Sequence, residues 1–480
     1  MPLPGFNRVT LLGTLALAMA LSGGCQHYVD EPLDAGKTAA QLLDRSLANP
    51  DLRAFLQQNA GRDFAEWPVK SWDFETLNWV ALYYNPSLQV ARAQWAQARG
   101  GILTGAERPN PTLSVAPGYD FNPSPGTISP WLPMVTLDLP LETAGKREKR
   151  IQQAQWLAEA AKQNVFVSAW QVRADLRQAL IDWDAAGKRA NITREQVASQ
   201  QRVLGLLQQR LDAGAIAADE LSTTRLALVK AQSDAGNAAR AQGVARARIA
   251  EVLGVPLSAL EGVDFSTAGV ASGKNFSAAE LFAARAVSLQ TRADILAALA
   301  NYQASQSALQ LEIAKQYPDI HLGPGYQYDT GDSKWSLSIG ADLPIFNQNE
   351  GPIEEARAAR ATAAAQVLAL QAHIIAQIDS AAAANAVAVG AVEDLHKIDA
   401  ELQKHLTSVR AQTEAGAADQ LDYQTAFLDV GAGELALSDA QAQAAAASGQ
   451  LEDALQVPLA NLSAVLKDLP PPPTSPPTKP

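Results

Sequence analysis

Between Ser336 and Leu343 the apolar residues Leu337, Ile339, Ala341 and Leu343 alternate with Ser336, Ser338, Gly340 and Asp342. A period of two predicts a strand with one apolar and one polar face. Pro344 has no N–H to give to a ladder and is expected to end it. Gly351 and Pro352 then punctuate, and an Ala-rich, proline-free helical stretch runs from Ile353 to Thr413. The same order of parts occurs earlier, over residues 135–154. Asp138-Leu139-Pro140 precedes Asp342-Leu343-Pro344 by 204 positions, and Ile151 and Ala154 precede Ile353 and Ala356 by 202. A repeat this long is a duplicated half-protein rather than a solenoid unit.

Taken in order, residues 26–78 read as an irregular arm with Trp67, Pro68 and Trp72 near its end. Helical spacing starts at Leu77, with Leu88, Ala91, Trp95 and Ala98 recurring at three and four and Asn85-Pro86-Ser87 as a start signal. Leu113, Val115, Tyr119 and Phe121 alternate with Thr112, Ser114, Gly118 and Asp120, which predicts a first strand. After a turn at 122–130, a second strand puts Trp131, Val135, Leu137 and Leu139 on one face and Thr136 and Asp138 on the other. Lys146 to Leu211 contains no proline. At ~1.5 Å per residue that stretch is a helical rod of roughly 100 Å. AGAIAADEL at 213–221 breaks it, helix resumes to about Leu253, and Gly254, Pro256 and a Gly/Ser-rich stretch to Asn275 follow.

The second half repeats this plan. One helix is expected from Ala279 to Lys315, then a strand with Ile320, Leu322, Tyr326 and Tyr328 opposite Asp319, His321, Gly323, Gly325 and Gln327. DTGDS turns the chain into the 334–344 strand; AGAADQLD at 415–422 breaks the second long helix, and helix returns to about Leu455. The predicted organisation is a signal peptide at 1–24, an arm at 25–78, a first repeat at 79–257 with strands about 111–122 and 131–140, and a connector at 258–278. A second repeat at 279–459, with strands about 318–329 and 334–344, and a Pro-rich tail at 460–480 complete it.

Composition narrows the class. Tryptophan, tyrosine and phenylalanine together make up only 6% of the 480 residues, which suits long helices packed through alanine better than several compact cores. A net charge of −12 disfavours a nucleic-acid partner, which would need a basic surface. Arg8 and the apolar run Leu11 to Leu21 form a secretory signal, and no later segment has eighteen apolar residues free of charge. Cys25 is the single cysteine and sits at the expected cut site, so no internal disulfide can form. LSGGC resembles a bacterial lipobox, although Leu21 stands at −4 and Ser22 takes the usual leucine position. The alternative is an ordinary cleavage site with a stray cysteine.

NPSLQVARAQ, RPNPTLSV, LDLPLETAGKREKRI, YPDIHLGPGY, ADLPIFNQNEG and the paired AGA…L breaks, in this order and duplicated, resemble the outer membrane efflux protein family of TolC-type channels. LPLETAGKR with LPIFNQNEG is most similar to its heavy-metal-efflux branch. The resemblance runs from about Leu77 to Leu459. It implies a mainly α fold with a small membrane β-barrel. Three chains would give four strands each to a shared twelve-stranded barrel, with their helices forming a hollow α-barrel across the periplasm. The strand count agrees: four strands cannot close a barrel, and open edges are not viable in lipid. A soluble β-sandwich with helical arms is the competing fold. The implied partners are two further copies of the chain, a periplasmic adaptor, an inner membrane transporter of the resistance-nodulation-division type and outer membrane lipid. The implied place is the outer membrane of a Gram-negative bacterium, lipid-anchored at Cys25 and extending into the periplasm.

The chemistry suits a passive duct and not an enzyme. No catalytic constellation, cofactor motif or metal-ligand spacing is found: His27, His321, His373, His396 and His405 are scattered, and no glycine loop cradles phosphate. Asp138 and Asp342 take matching positions on polar strand faces, so a trimer would set six carboxylates near one level of a lumen, where they would favour cations. Either could equally be a turn residue on the approach to its helix. Asp419 and Asp422, spaced D-x-x-D after the second break, match an acidic pattern at the periplasmic mouth of family members, and Asp219 occupies the related place after the first. Helix capping explains the same residues. Gly214 and Gly416 with Ala213 and Ala415 would form the tip that meets the adaptor, or simply tight turns. The expected function is the exit duct of a tripartite efflux pump for metal cations. Alternatives are a duct for organic toxic compounds or type I protein secretion, and, in another class, a periplasmic coiled-coil adaptor or structural lipoprotein.

Overall fold

A computed structural model describes residues 27–60, 63–267, 270 and 275–458. The signal at 1–24, Cys25 and the tail at 460–480 lie outside the described residues. Two units divide at Arg45. The first holds helix α1 (Ala35–Leu43), started by Asp34, whose carboxylate accepts the backbone N–H groups of Gly36 and Lys37. The rest concerns the unit from Ser46 onward.

The expected irregular arm is instead a packed cap. Helix α2 (Pro50–Ala60), strand β1 (Ser71–Trp72) and helix α3 (Phe74–Tyr84) bring Leu52, Leu56, Trp72, Phe74 and Leu77 into the largest apolar cluster among the described residues. Asp73 caps α3 through the Thr76 N–H at 2.7 Å, so the helix starts before the apolar spacing becomes visible. Asn85, with ψ 125°, separates α3 from α4 (Pro86–Ala106).

Two long helices dominate: α5 (Lys146–Asp212, 67 residues) and α9 (Glu350–Glu414, 65 residues). Each is roughly 100 Å long at ~1.5 Å per residue. Both end the same way. Gly214 and Gly416 each have φ of +72°, and the Ala215 and Ala417 N–H groups reach back to Arg210 and Gln412 carbonyls at 2.8 Å. This is a Schellman stop, which needs glycine in the left-handed region. The returning helices α6 (Ala218–Leu253) and α10 (Gln420–Leu455) have 36 residues each. One window of α9 has a mean hydropathy of 1.4, apolar and long enough for a membrane span by composition. Much of that character is alanine, and Ile374 and Ile378 are buried against Leu451 and Leu455.

Each returning helix is continued by a short one. At the end of α6 the Asn85 amide donates to the Val252 carbonyl at 2.8 Å, and α4 begins. In the second repeat the predicted single helix is two, α7 (Ala278–Thr291) and α8 (Ala293–Ala314). The break at Arg292 (ψ 134°) has no glycine or proline to announce it. Its guanidinium instead binds the Ala454 carbonyl at the end of α10, and Gln456 accepts the Ala293 N–H at 3.1 Å. A short strand β4 (Asp264–Phe265) pairs in parallel with β1 within the expected connector.

Strands β2 (Thr112–Ala116), β3 (Met134–Leu141), β5 (Ile320–Asp329) and β6 (Asp332–Ala341) form one antiparallel sheet in the order β2-β3-β5-β6. β2 is shorter than expected because Pro117 interrupts it; pairing resumes only in pieces, with Leu132 N–H to Gly118 at 2.8 Å. β6 starts earlier, since Thr330 and Gly331 (φ +50° and +114°) make a two-residue hairpin turn. It also ends at Ala341, before Pro344. The register pairs Ala341 with Ile320, so Leu343 would face Pro318, which has no N–H to offer.

Candidate functional site

Register converts alternation into two faces. One row runs Val115, Val135, Tyr326, Trp335; others run Leu139, Leu322, Ile339 and Leu141, Ile320, Ala341. Leu113 with Leu137 and Pro324 with Leu337 complete this face. The opposite face carries Ser114, Thr136, Gly325 and Ser336, then Ala116, Met134, Gln327 and Lys334, then Pro140, His321 and Gly340. Nothing among the described residues covers the apolar side: Leu337 is 67% exposed, Ile339 72% and Trp335 80%. A soluble sandwich would bury that face against a second sheet, so the bare face argues against it. Aromatic pairs gather toward the hairpin end, with ring centroids 5.0 Å apart for Tyr119–Trp131 and Tyr326–Trp335. Beyond the other end, Leu343, Ile345 and Phe346 are exposed. Among the described strands, the outer edges of β2 and β6 have no partner.

The two expected lumen carboxylates are not at one level. Asp138 lies inside β3, in register with Thr112. Asp342 lies just past β6, and continuing the β5–β6 register sets it opposite Asp319, four positions along β5 from Gly323, which continues opposite Asp138. At ~3.3 Å per residue that is roughly 13 Å along the strand. Asp138 has a partner that sequence reasoning set aside: His321 Nδ1 stands 3.1 Å from both of its carboxylate oxygens. Alternation alone places His321 on the polar face, but only the β3–β5 register brings the two together.

At the helix breaks, Ala213 and Ala415 are the C-cap residues of α5 and α9, and a Cβ added at Gly214 or Gly416 would meet nothing within 4 Å. The hairpin tips pack on each other through Val203, Leu207 and Leu221, with Leu421 and Leu428 against them, and Ser199 donates to Gln424 at 2.8 Å. Asp419 and Asp422 form one capping box: Asp419 accepts the Leu421 and Asp422 N–H groups at 2.7 and 3.0 Å, and Asp422 accepts the Asp419 N–H at 3.1 Å. Arg210 of α5 reaches across to the Asp419 carboxylate. Asp219 sits in the first turn of α6, which has no side-chain cap. The Asp422 N–H, with Arg210 second, holds the Asp419 carboxyl below its ordinary range. A lowered acid pKa adds stability above the unfolded value, and that stability is lost as pH falls through the folded one.

Residues 80–255 match the family described as outer membrane efflux protein. Over that segment the chain is similar to the outer membrane efflux protein family. The cobalt-zinc-cadmium resistance protein CzcC of Cupriavidus metallidurans is 22% identical over 345 residues, covering 71% of this chain and 74% of that protein. The crystal structure of a membrane protein from Pseudomonas aeruginosa superposes with a TM-score of 0.65 at 20% identity, covering 80% of this chain and 92% of the other. CusC, described for its folding and transmembrane channel formation, gives 0.64 at 16% identity, covering 90% and 99%. The second repeat, which lies outside the matched segment, ends its long helix with the same Schellman stop as the first and carries its own antiparallel strand pair.

Proposed function

We propose that this protein is the outer membrane channel of a tripartite efflux pump, a passive duct across the outer membrane and periplasm. The observation that carries the reading is the four-stranded sheet with a bare apolar face, a polar reverse and two open edges, joined directly to helices of roughly 100 Å. Three copies pair those edges into twelve strands, with lipid outside and water inside. The helices continue the duct inward to the hairpin tips. Gly214, Gly416, Ala213 and Ala415 there offer a small-residue surface to a periplasmic adaptor. An inner membrane transporter, of the resistance-nodulation-division type, supplies the energy. Metal cations are the cargo favoured by the similarity to CzcC; organic toxic compounds or secreted proteins are the alternatives. A periplasmic adaptor or structural lipoprotein has no use for the bare sheet. Cys25 is the proposed lipid anchor, and the mass of the mature chain, with or without acyl groups, decides it.

Asp419 and Asp422 are proposed to line the resting mouth as well as to cap α10. Capping leaves one oxygen of each carboxylate pair toward solvent or toward Arg210, so the two roles coexist. In planar bilayers, divalent cations added from the periplasmic side should block the wild type. Asp419→Ala with Asp422→Ala should lose that block while staying trimeric, and should lose about 1 kcal/mol of helix stability with the cap. Block that survives the double substitution would leave these acids with capping alone.

A further inference from the structure

We propose that Asp138 and His321 form a passing contact for a divalent transition-metal cation on the polar face of the sheet. The inference rests on the channel reading, in which that face looks into water. His321 Nδ1 is 3.1 Å from each Asp138 oxygen. Metal–nitrogen and metal–oxygen bonds of about 2.0–2.2 Å, meeting at about 100°, put two donors about this far apart. One cation therefore fits between the groups with little movement. Which ring nitrogen carries the proton decides whether Nδ1 donates to Asp138 or offers a lone pair. With the proton on Nε2, Nδ1 offers its lone pair and the ring need lose no proton.

The surroundings single out this pair. A cleft lined by Glu107, Arg108, Glu142, Arg150, Asp319 and His321 opens beside it, and its two arginines leave the Asp138 side as the less positive one. Glu142 is already bound by Arg150, and Asp319 by Lys146 at 2.8 Å. A cation would have to displace those side chains to reach either acid. Asp138 contacts His321, and no lysine or arginine among the described residues pairs with it. Imidazole with carboxylate selects zinc, cobalt or copper over magnesium and calcium, which prefer oxygen alone. No group of three or more histidine, cysteine or acidic residues among the described residues could hold a metal ion. Two donors from one chain, with water completing the shell, bind weakly and release, as conduction requires.

The test uses the full-length protein in planar bilayers, with potassium current as the readout. Zinc chloride or magnesium chloride is added on the side of the β5–β6 hairpin, away from the mouth acids. Zinc should reduce the current at a concentration about tenfold or more below that of magnesium. His321→Asn and Asp138→Asn should each raise the zinc concentration needed by about tenfold or more, the scale on which lost support at a metal site is felt. His321→Cys should keep zinc sensitivity, because a thiolate replaces the imidazole. The magnesium response should ignore His321. Zinc block unchanged in His321→Asn overturns the contact while leaving the channel standing. A wild type that forms no pore overturns the channel reading, and the contact with it.

Discussion

Leu337→Arg should prevent the protein from accumulating as a folded oligomer in the outer membrane, while Ser338→Arg, one residue away, should be tolerated. Leu337 sits mid-strand in β6, on the apolar face and paired with Pro324, whereas Ser338 points to the polar face and donates to the Gly323 carbonyl at 3.0 Å. An arginine on the lipid face costs about 2–4 kcal/mol near the bilayer midplane, incurred once per chain. An arginine on the water face keeps its hydration. Membrane fractionation with a folded-oligomer band on unheated gels separates the two. Equal effects from both substitutions would remove the assignment of faces.

Arg177→Ala should be the most damaging single change in the helical part. Arg177 is 2% exposed, on α5, and joins the first repeat to the end of α10 in the second. It donates to the Gly449 carbonyl at 2.6 Å and to Asp453 at 2.9 Å, and stands 3.2 Å from Glu452. Removing it takes the guanidinium from Asp453 and from Glu452, which Arg173 also approaches, at 3.3 Å. Breaking a buried pair in this way costs about 3–5 kcal/mol. Burial pushes the Asp453 carboxyl up, and Arg177 works against that push. For an acid raised in the folded state, stability is present at low pH and lost as pH rises through the folded value. The Arg177→Ala deficit should therefore shrink on acidification, and thermal melts of purified protein at neutral and acid pH would show it. Gly449→Ala should damage the same joint, since its Cβ would fall 2.9 Å from the Arg177 side chain.

Local signals carried much of this architecture. Alternation around Leu337 and Leu137 marked strands, proline-free runs marked both rods, and D-x-x-D at Asp419 already allowed a cap. Pairings between distant segments were not legible. The Asp138–His321 contact joins residues 183 apart in sequence, and Arg210 meets Asp419 from 209 residues away. Neither has a local spacing rule. The break at Arg292 was missed for the same reason: what stops the helix is a carbonyl at the end of α10, not a residue that disfavours helix. Trp72 and Phe74 look like part of an irregular arm in the sequence because their helix partners, Leu176, Leu180 and Leu253, belong to other elements.

Open strand edges on β2 and β6 are what require more than one chain. Light scattering of the detergent-extracted protein, corrected for bound detergent, counts the chains in each particle. Three chains per particle, retained on dilution and with the sheet intact by circular dichroism, is the predicted result. A stable, monodisperse single chain with full β content would contradict it.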